Sequence, residues 1–324
     1  MRAIVARGYG SPDILQLREV ETPEPEPGEV LVKVRATTVT TGDWRARSLE
    51  MPPGFGPVAR LVFGIRGPRQ PILGTEMAGT VESVGAGVTS FAAGDEVFAF
   101  TGAAMGCHAE YRTIAADGAI AHRPANLTFD EAAPLSFGGT TALTFLRRAK
   151  VLRGDHVLII GASGCVGTAA VQLARHYGAD VTGVCSSANV ELLASIGCHH
   201  VIDYTTTDFS GNGLKYDVVM DTTGTVTIAR GVASLAPGGR LLLVSAGLAD
   251  NLRGAWVSAR GGAKVVTGPS TGHGEDLRFL GALAAAGEYL PVIDRRYAFE
   301  EIADAHRYVD TGRKRGNVVI TMGS

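Results

Sequence analysis

The sequence predicts an α/β protein in which a doubly wound parallel sheet is joined to a β-rich domain of short antiparallel strands. Three observations carry that expectation. An apolar strand pattern over residues 156–160 runs into the turn Gly161-Ala162-Ser163-Gly164-Cys165-Val166-Gly167 and then into an amphipathic helix pattern beginning near Val166. From there to residue 267, short β-branched runs alternate with helical patterns, whereas the first third carries short strands separated by glycine- and proline-rich turns.

Composition sets the bounds. The 324 residues exceed one ordinary core, and 45% hydrophobic with 19% charged residues is the balance of a folded, two-domain chain. A net charge of −2 leaves no basic footprint, so nucleic acid is not an expected partner. Met1-Arg2 leads directly into a strand pattern without a signal-peptide core, and no apolar run is long enough to span a bilayer. The cytoplasm is the expected compartment. Cys107, Cys165, Cys185 and Cys198 lack paired spacing, so reduced thiols are expected.

Taken in order, residues 2–6, 14–19 and 29–36 read as strands punctuated by Gly8-Tyr9-Gly10-Ser11-Pro12 and by the proline run 23–28, and residues 78–84 and 95–98 continue the pattern. Thr128 with Glu131 three residues later is a capping box, which starts a helix near Phe129. After the first strand of the parallel sheet come strands at 179–185, 200–204, 216–221, 240–245 and 264–267, with a helix at 189–196. The usual order for such a unit is 3-2-1-4-5-6. Pro237-Gly238-Gly239 ends a helix and turns into the fifth strand.

Glycines at 161, 164 and 167, set between a strand and a helix, let the backbone turn tightly and approach a pyrophosphate at the helix start, which predicts a dinucleotide site. Ser163, Gly164, Cys165 and Val166 are its first candidates. The tip of the second strand reads Ser186-Ser187-Ala188-Asn189, with no acid between Asp180 and Glu191. Small polar side chains there leave room for a 2′-phosphate that a carboxylate would repel, so NADP(H) is expected over NAD(H), although no Arg or Lys stands at this tip. Ser186, Ser187, Asn189 and Tyr204 are assigned to that end of the cofactor. Thr222, Val244, Ser245, Ala246, Gly247, Thr267 and Gly268, in the turns after the later strands, complete the expected contacts.

Further motifs are Gly42-Asp43-Trp44, Leu73-Gly74-Thr75-Glu76-Met77-Ala78-Gly79, Gly94-Asp95-Glu96-Val97, Ala109-Glu110-Tyr111 and Gly139-Thr140-Thr141-Ala142. With them, the chain resembles over its whole length the zinc-independent members of the medium-chain dehydrogenase/reductase superfamily, in the quinone oxidoreductase-like branch. The resemblance implies a GroES-like catalytic domain at residues 1–122, a Rossmann domain at 123–288 and a returning segment of the catalytic domain at 289–324. It also implies reduction of quinones or α,β-unsaturated carbonyls by hydride transfer, with Thr40, Asp43 and Trp44 in the substrate pocket and Thr141 beside the nicotinamide. In zinc-dependent relatives a Cys stands where this chain has Thr40 and a His where it has Thr75. Hydroxyls are poor zinc ligands, so no metal is expected. Cys107-His108 reads as two unrelated side chains on opposite faces of a strand.

This chain departs from its relatives at Thr40, where most carry Asn. Two other readings stand beside the enzyme: an NADPH-binding protein without turnover, as in zeta-crystallins, and a zinc-free NADP-dependent alcohol or aldehyde reductase. Asp43 reads equally as the cap of a helix at 44–49, and Trp44 as either a stacking platform or a core anchor. Residues 51–71 read as a loop covering the pocket, with Arg45, Arg47, Arg60, Arg66 and Arg69 solvated. The sixth strand would leave an open sheet edge beside Ala255-Trp256-Val257, which predicts a homodimer.

Overall fold

The computed structural model describes residues 1–323. The strands, in chain order, are β1 (Arg2–Ala6), β2 (Leu15–Glu19), β3 (Glu29–Thr38), β4 (Glu76–Val84), β5 (Glu96–Phe100), β6 (Tyr111–Ala115) and β7 (Ile120–His122). They continue with β8 (His156–Ile160), β9 (Asp180–Cys185), β10 (His200–Asp203), β11 (Tyr216–Asp221), β12 (Leu235–Leu243), β13 (Lys264–Val266), β14 (Ile293–Ala298) and β15 (Asn317–Thr321). The α-helices are α1 (Thr41–Ser48), α2 (Gly56–Phe63), α3 (Phe129–Ala132), α4 (Ser136–Ala149), α5 (Cys165–His176), α6 (Val190–Ser195), α7 (Ile228–Ala233), α8 (Leu248–Ala259), α9 (Gly274–Ala285) and α10 (Ile302–Asp310).

Two compact units result, one built from Met1–Met51, Gly56–Thr140 and the chain from Gly272 onward, the other from Pro52–Phe55 and Thr141–Thr271. These bounds differ from the expected 1–122, 123–288 and 289–324. Residues 123–140 and 272–288 go with the first unit, because α3 packs on β3 and β4 and α9 packs on β7.

In the first unit β1 and β2 pair as a hairpin, and a second sheet runs β14-β15-β3-β4-β5-β7, with β6 also on β3. The long β3 organises it. Val30, Val32 and Val34 recur at the strand period and are buried against Val81, Val97, Phe299 and Ile320. The last two come from the C-terminal segment, so the core of this unit is closed by the end of the chain.

The second unit is one parallel sheet ordered β10-β9-β8-β11-β12-β13, which is the expected 3-2-1-4-5-6. Val157 to Ile160 on β8 and Val218 to Asp221 on β11 are buried throughout, as central parallel strands covered on both faces require.

Several expectations are corrected. Pro237-Gly238-Gly239 lies inside β12, at the bulge where Tyr216 pairs with Leu235 and Val218 with Arg240, and α7 has already ended at Ala233. Residues 51–71 contain a helix, α2. Cys107 and His108 lie outside the strands and are both fully buried. Arg47 is not solvated: its side chain is 1% exposed, and it bonds the Gly10 carbonyl and Asp310. Trp256 sits on α8, exposed, under the guanidinium of Arg260 at 3.5 Å.

Candidate active site

In the second unit the expected cofactor residues converge on the carboxyl edge of the parallel sheet, with β8 and β11 at the point where strand order reverses. Gly161 has φ +75°, and a Cβ there would lie 2.4 Å from Thr223 Cγ2. A Cβ at Gly167 would lie 2.2 Å from the Gly161 carbonyl oxygen, so α5 seats directly on the turn. Gly164 is the N-cap of α5 and supplies no side-chain cap, which leaves the start of a twelve-residue helix open to an anion. These residues fit a dinucleotide pyrophosphate. Asn189 Nδ2 donates to Ser163 Oγ (3.2 Å) and to Ser186 Oγ (3.3 Å), tying the glycine turn to the tip of β9. Thr222 Oγ1 donates to the Ile160 carbonyl at 2.9 Å, and Thr141 Oγ1 meets Ser270 Oγ at 3.2 Å. Beyond the later strands, Val244 N–H bonds the Asp221 carbonyl, Gly247 is the N-cap of α8, and Arg148 bonds the Thr267 carbonyl just before Gly268. Tyr204, one residue past β10, is exposed.

In the first unit a buried polar cluster stands at the start of α1. Thr40 is the N-cap, and its hydroxyl accepts from Asp43 N–H at 3.1 Å. The Asp43 carboxylate accepts from Thr40 N–H (2.7 Å), from Thr40 Oγ1 (2.6 Å) and from Gly74 N–H (3.1 Å). Asp43 therefore caps the helix, and its full burial is met by these bonds. Thr75 Oγ1 lies 3.3 Å from Thr40 Oγ1. With the Thr40 proton given to Asp43, Thr75 donates into that contact, and a directed chain Thr75 to Thr40 to Asp43 results. Trp44 is half-buried against the β-sheet core, the anchor reading. The structure thus brings Thr40, Asp43 and Thr75 together and leaves the Trp44 ring out of the cluster.

Next to Thr75, Glu76 is fully buried, between Thr38 Oγ1 (2.7 Å) and Phe137 N–H (2.5 Å). Burial, with Asp43 nearby, pushes its carboxyl from 4.5 up to about 8, against the pull of those hydrogen bonds. Below that value Glu76 is a neutral acid. His108 Nε2 bonds the Thr38 carbonyl at 2.9 Å and faces His306 edge-on at 5.7 Å; burial lowers both imidazoles, His306 well below its ordinary value, so both are neutral. Cys107, pushed up by burial to about 12, is an inert thiol.

Comparison with known proteins sets these features in a family. Residues 26–125 match the alcohol dehydrogenase GroES-like domain, and residues 196–320 match the zinc-binding dehydrogenase domain. The chain is 34% identical to 2-methylene-furan-3-one reductase of Solanum lycopersicum over 99% of its own length and 79% of the relative's. The chain belongs to the quinone oxidoreductase-like branch of the medium-chain dehydrogenase/reductase superfamily. Within it, the chain is 32% identical to the NADPH-dependent alkenal/one oxidoreductase of Arabidopsis thaliana (99% and 79% covered) and 29% identical to the quinone oxidoreductase of Homo sapiens (96% and 94% covered). The quinone oxidoreductase of Coxiella burnetii superposes with a TM-score of 0.87 at 29% identity, over 99% of both chains. As a medium-chain dehydrogenase/reductase it is an oxidoreductase that uses a nicotinamide cofactor.

Sequence reasoning missed Asp203 in this reductase fold. β10 pairs beside β9 with Asp203 opposite Cys185, so a carboxylate stands at the tip that lacked one along the second strand alone. It accepts from Ser187 Oγ (2.5 Å) and from Thr205 Oγ1 (2.7 Å) and N–H (2.9 Å), and these bonds, led by Ser187, hold it below the usual carboxylate range. The signal was the acid closing the third strand pattern, read against its parallel neighbour. Glu76 was visible as part of a motif but not as a buried acid, because its burial depends on α4 arriving from sixty residues away.

Proposed function

We propose that this chain is an NADPH-dependent oxidoreductase that reduces quinones or α,β-unsaturated carbonyls without zinc. The observation that carries the reading is the pair of hydroxyls, Thr40 and Thr75, 3.3 Å apart at the positions where the resemblance puts thiolate and imidazole ligands in zinc-dependent relatives. Hydroxyl donors do not fit zinc, so the metal in the matched domain's description is assigned no step here. When bound, the nicotinamide supplies hydride. Conjugate reduction spreads the developing charge over the substrate, so modest hydrogen bonds suffice where a saturated carbonyl would need a stronger electrophile. Thr75 supplies the hydroxyl for that role by turning its proton from Thr40 to the substrate, and Thr40, its own proton held by Asp43, is a positioning residue. Ser163 to Val166, Ser186, Ser187, Asn189 and Tyr204 hold the adenosine and phosphate end, with Thr141 toward the nicotinamide. The relatives support both halves of the reading, being named an NADPH-dependent alkenal/one oxidoreductase and quinone oxidoreductases. The open edge at β13, paired among the described residues with β12 alone, supports a homodimer.

NADPH oxidation against a panel of quinones, enones and aldehydes, before and after dialysis against chelator, tests the proposal. Turnover of quinones or enones with substoichiometric zinc supports it. Turnover of aldehydes alone, or activity lost with the metal, overturns it, and tight NADPH binding with no turnover favours a zeta-crystallin-like binder.

A further inference from the structure

Helix α2 carries an apolar stripe that faces solvent. Val58, Leu61 and Val62 on the helix, and Ile65 just past its end, stand at the i, i+3, i+4, i+7 spacing that ordinarily buries a helix face. They are instead 49%, 61%, 53% and 62% exposed, and the buried residue of the helix is the small Ala59. Scattered exposed apolar side chains need no explanation, but four in one stripe do.

The surroundings of the stripe are cationic. Arg60, Arg66 and Arg69 are exposed, none forms an ion pair among the described residues, and no Asp or Glu occurs between Glu50 and Glu76. Arg60 and Arg69 both act electrostatically on the Tyr9 hydroxyl, which donates to the Gly64 carbonyl at 2.8 Å, so these two guanidinium groups gather at the C-terminal end of α2. The turn that follows is held by the Arg69 N–H bond to the Phe63 carbonyl at 2.7 Å. An apolar stripe flanked by arginines that have no carboxylate partner, Arg60 donating instead to the Ile65 carbonyl at 3.2 Å, is complementary to an anionic lipid surface, where the stripe enters the headgroup–acyl boundary and the arginines meet lipid phosphates.

We propose that α2 and the turn after it dock this protein peripherally on anionic membranes. The stripe is too short to anchor alone, and no helix among the described residues is long and apolar enough to cross a membrane, so the association is reversible and salt-sensitive. The proposal concerns where the molecule sits and stands apart from the reaction it catalyses.

Co-sedimentation of the full chain with vesicles of phosphatidylcholine alone, and of equimolar phosphatidylcholine and phosphatidylglycerol, tests it. Partitioning onto the anionic vesicles should exceed that onto the neutral ones by at least about tenfold at about 0.1 M salt, and should fall steeply at about 0.5 M. The paired substitution Leu61→Ser with Ile65→Ser should lower it about tenfold or more, and replacing Arg60, Arg66 and Arg69 by Gln should cost about fivefold per residue. All five side chains are exposed, so thermal melting of the variants should match the wild type and exclude misfolding. Equal or absent association with the two vesicles overturns the proposal, as do variants that bind like wild type. A concentration-dependent dimer by light scattering that the Leu61→Ser, Ile65→Ser variant loses would assign the stripe to a second copy instead, and would equally overturn it.

Discussion

Glu76→Gln should flatten the pH dependence of stability in the first unit. The folded-state value of Glu76, about 8, lies above its ordinary 4.5, so between those values the native protein holds a proton that the unfolded chain has released. Stability from this group is therefore complete below about pH 4.5, declines as pH rises toward 8, and levels off above it. At about 1.4 kcal/mol per pH unit, the decline between pH 5.5 and 8 is roughly 3 kcal/mol. Gln keeps an acceptor for Phe137 N–H and a group able to bond Thr38, but it does not titrate. The assay is urea denaturation from pH 5.5 to 8.5, followed by tryptophan fluorescence in a Trp256→Phe background, which leaves Trp44 as the reporter within the unit that contains Glu76. The variant should be the more stable protein at the alkaline end, with a shallower slope throughout. Parallel pH profiles for the two proteins would refute the reasoning, because they would mean that Glu76 is ionised in the native state.

Gly167→Ala forces a methyl to within 2.2 Å of the Gly161 carbonyl oxygen and 2.7 Å of Ala162 Cα, so α5 must lift from the turn. A loss of about 1–3 kcal/mol in stability and of cofactor binding by fluorescence titration is expected. NADPH should bind tighter than NADH through Ser186, Ser187 and Asn189, by a margin that the Asp203 carboxylate on Ser187 limits. Asp203→Asn should widen that margin by removing a charge held on Ser187, and equal affinities for the two cofactors would contradict the first half. Val265→Lys, on the edge strand β13, should shift the protein toward monomer with cofactor affinity little changed; a wild-type monomer mass by light scattering would end that expectation.

The parallel sheet was legible because each of its strands is a short apolar run closed by its own turn chemistry. β8 with its glycine turn is the plainest case, since the residues that shape the turn are neighbours in the chain. What failed shares one cause. Asp203 reaches the β9 tip through a parallel neighbour, Glu76 is sealed by α4, and Arg47 meets Asp310 from the far end of the chain. Periodicity carries no information about such partners. Pro237-Gly238-Gly239 failed for a local reason, because the residues that stop a helix also suit a bulge. The capping box at Thr40 and Asp43 was half legible: the cap was one of two open readings, and the contact with Thr75 needed the fold.

The first unit is assembled from stretches that are far apart in the order of synthesis. β3, made among the first forty residues, finds its partner β15 at Asn317–Thr321, and Phe299 and Ile320 complete its core, whereas the parallel-sheet unit lies almost wholly within residues 141–271. On the ribosome the later-encoded unit therefore has all its strands while the earlier one still waits with an unpaired edge. A nascent chain stopped near residue 290 would carry a finished parallel-sheet unit and an unfinished companion, which makes the strand at Asn317–Thr321 the step at which this protein is exposed to chaperones and to aggregation.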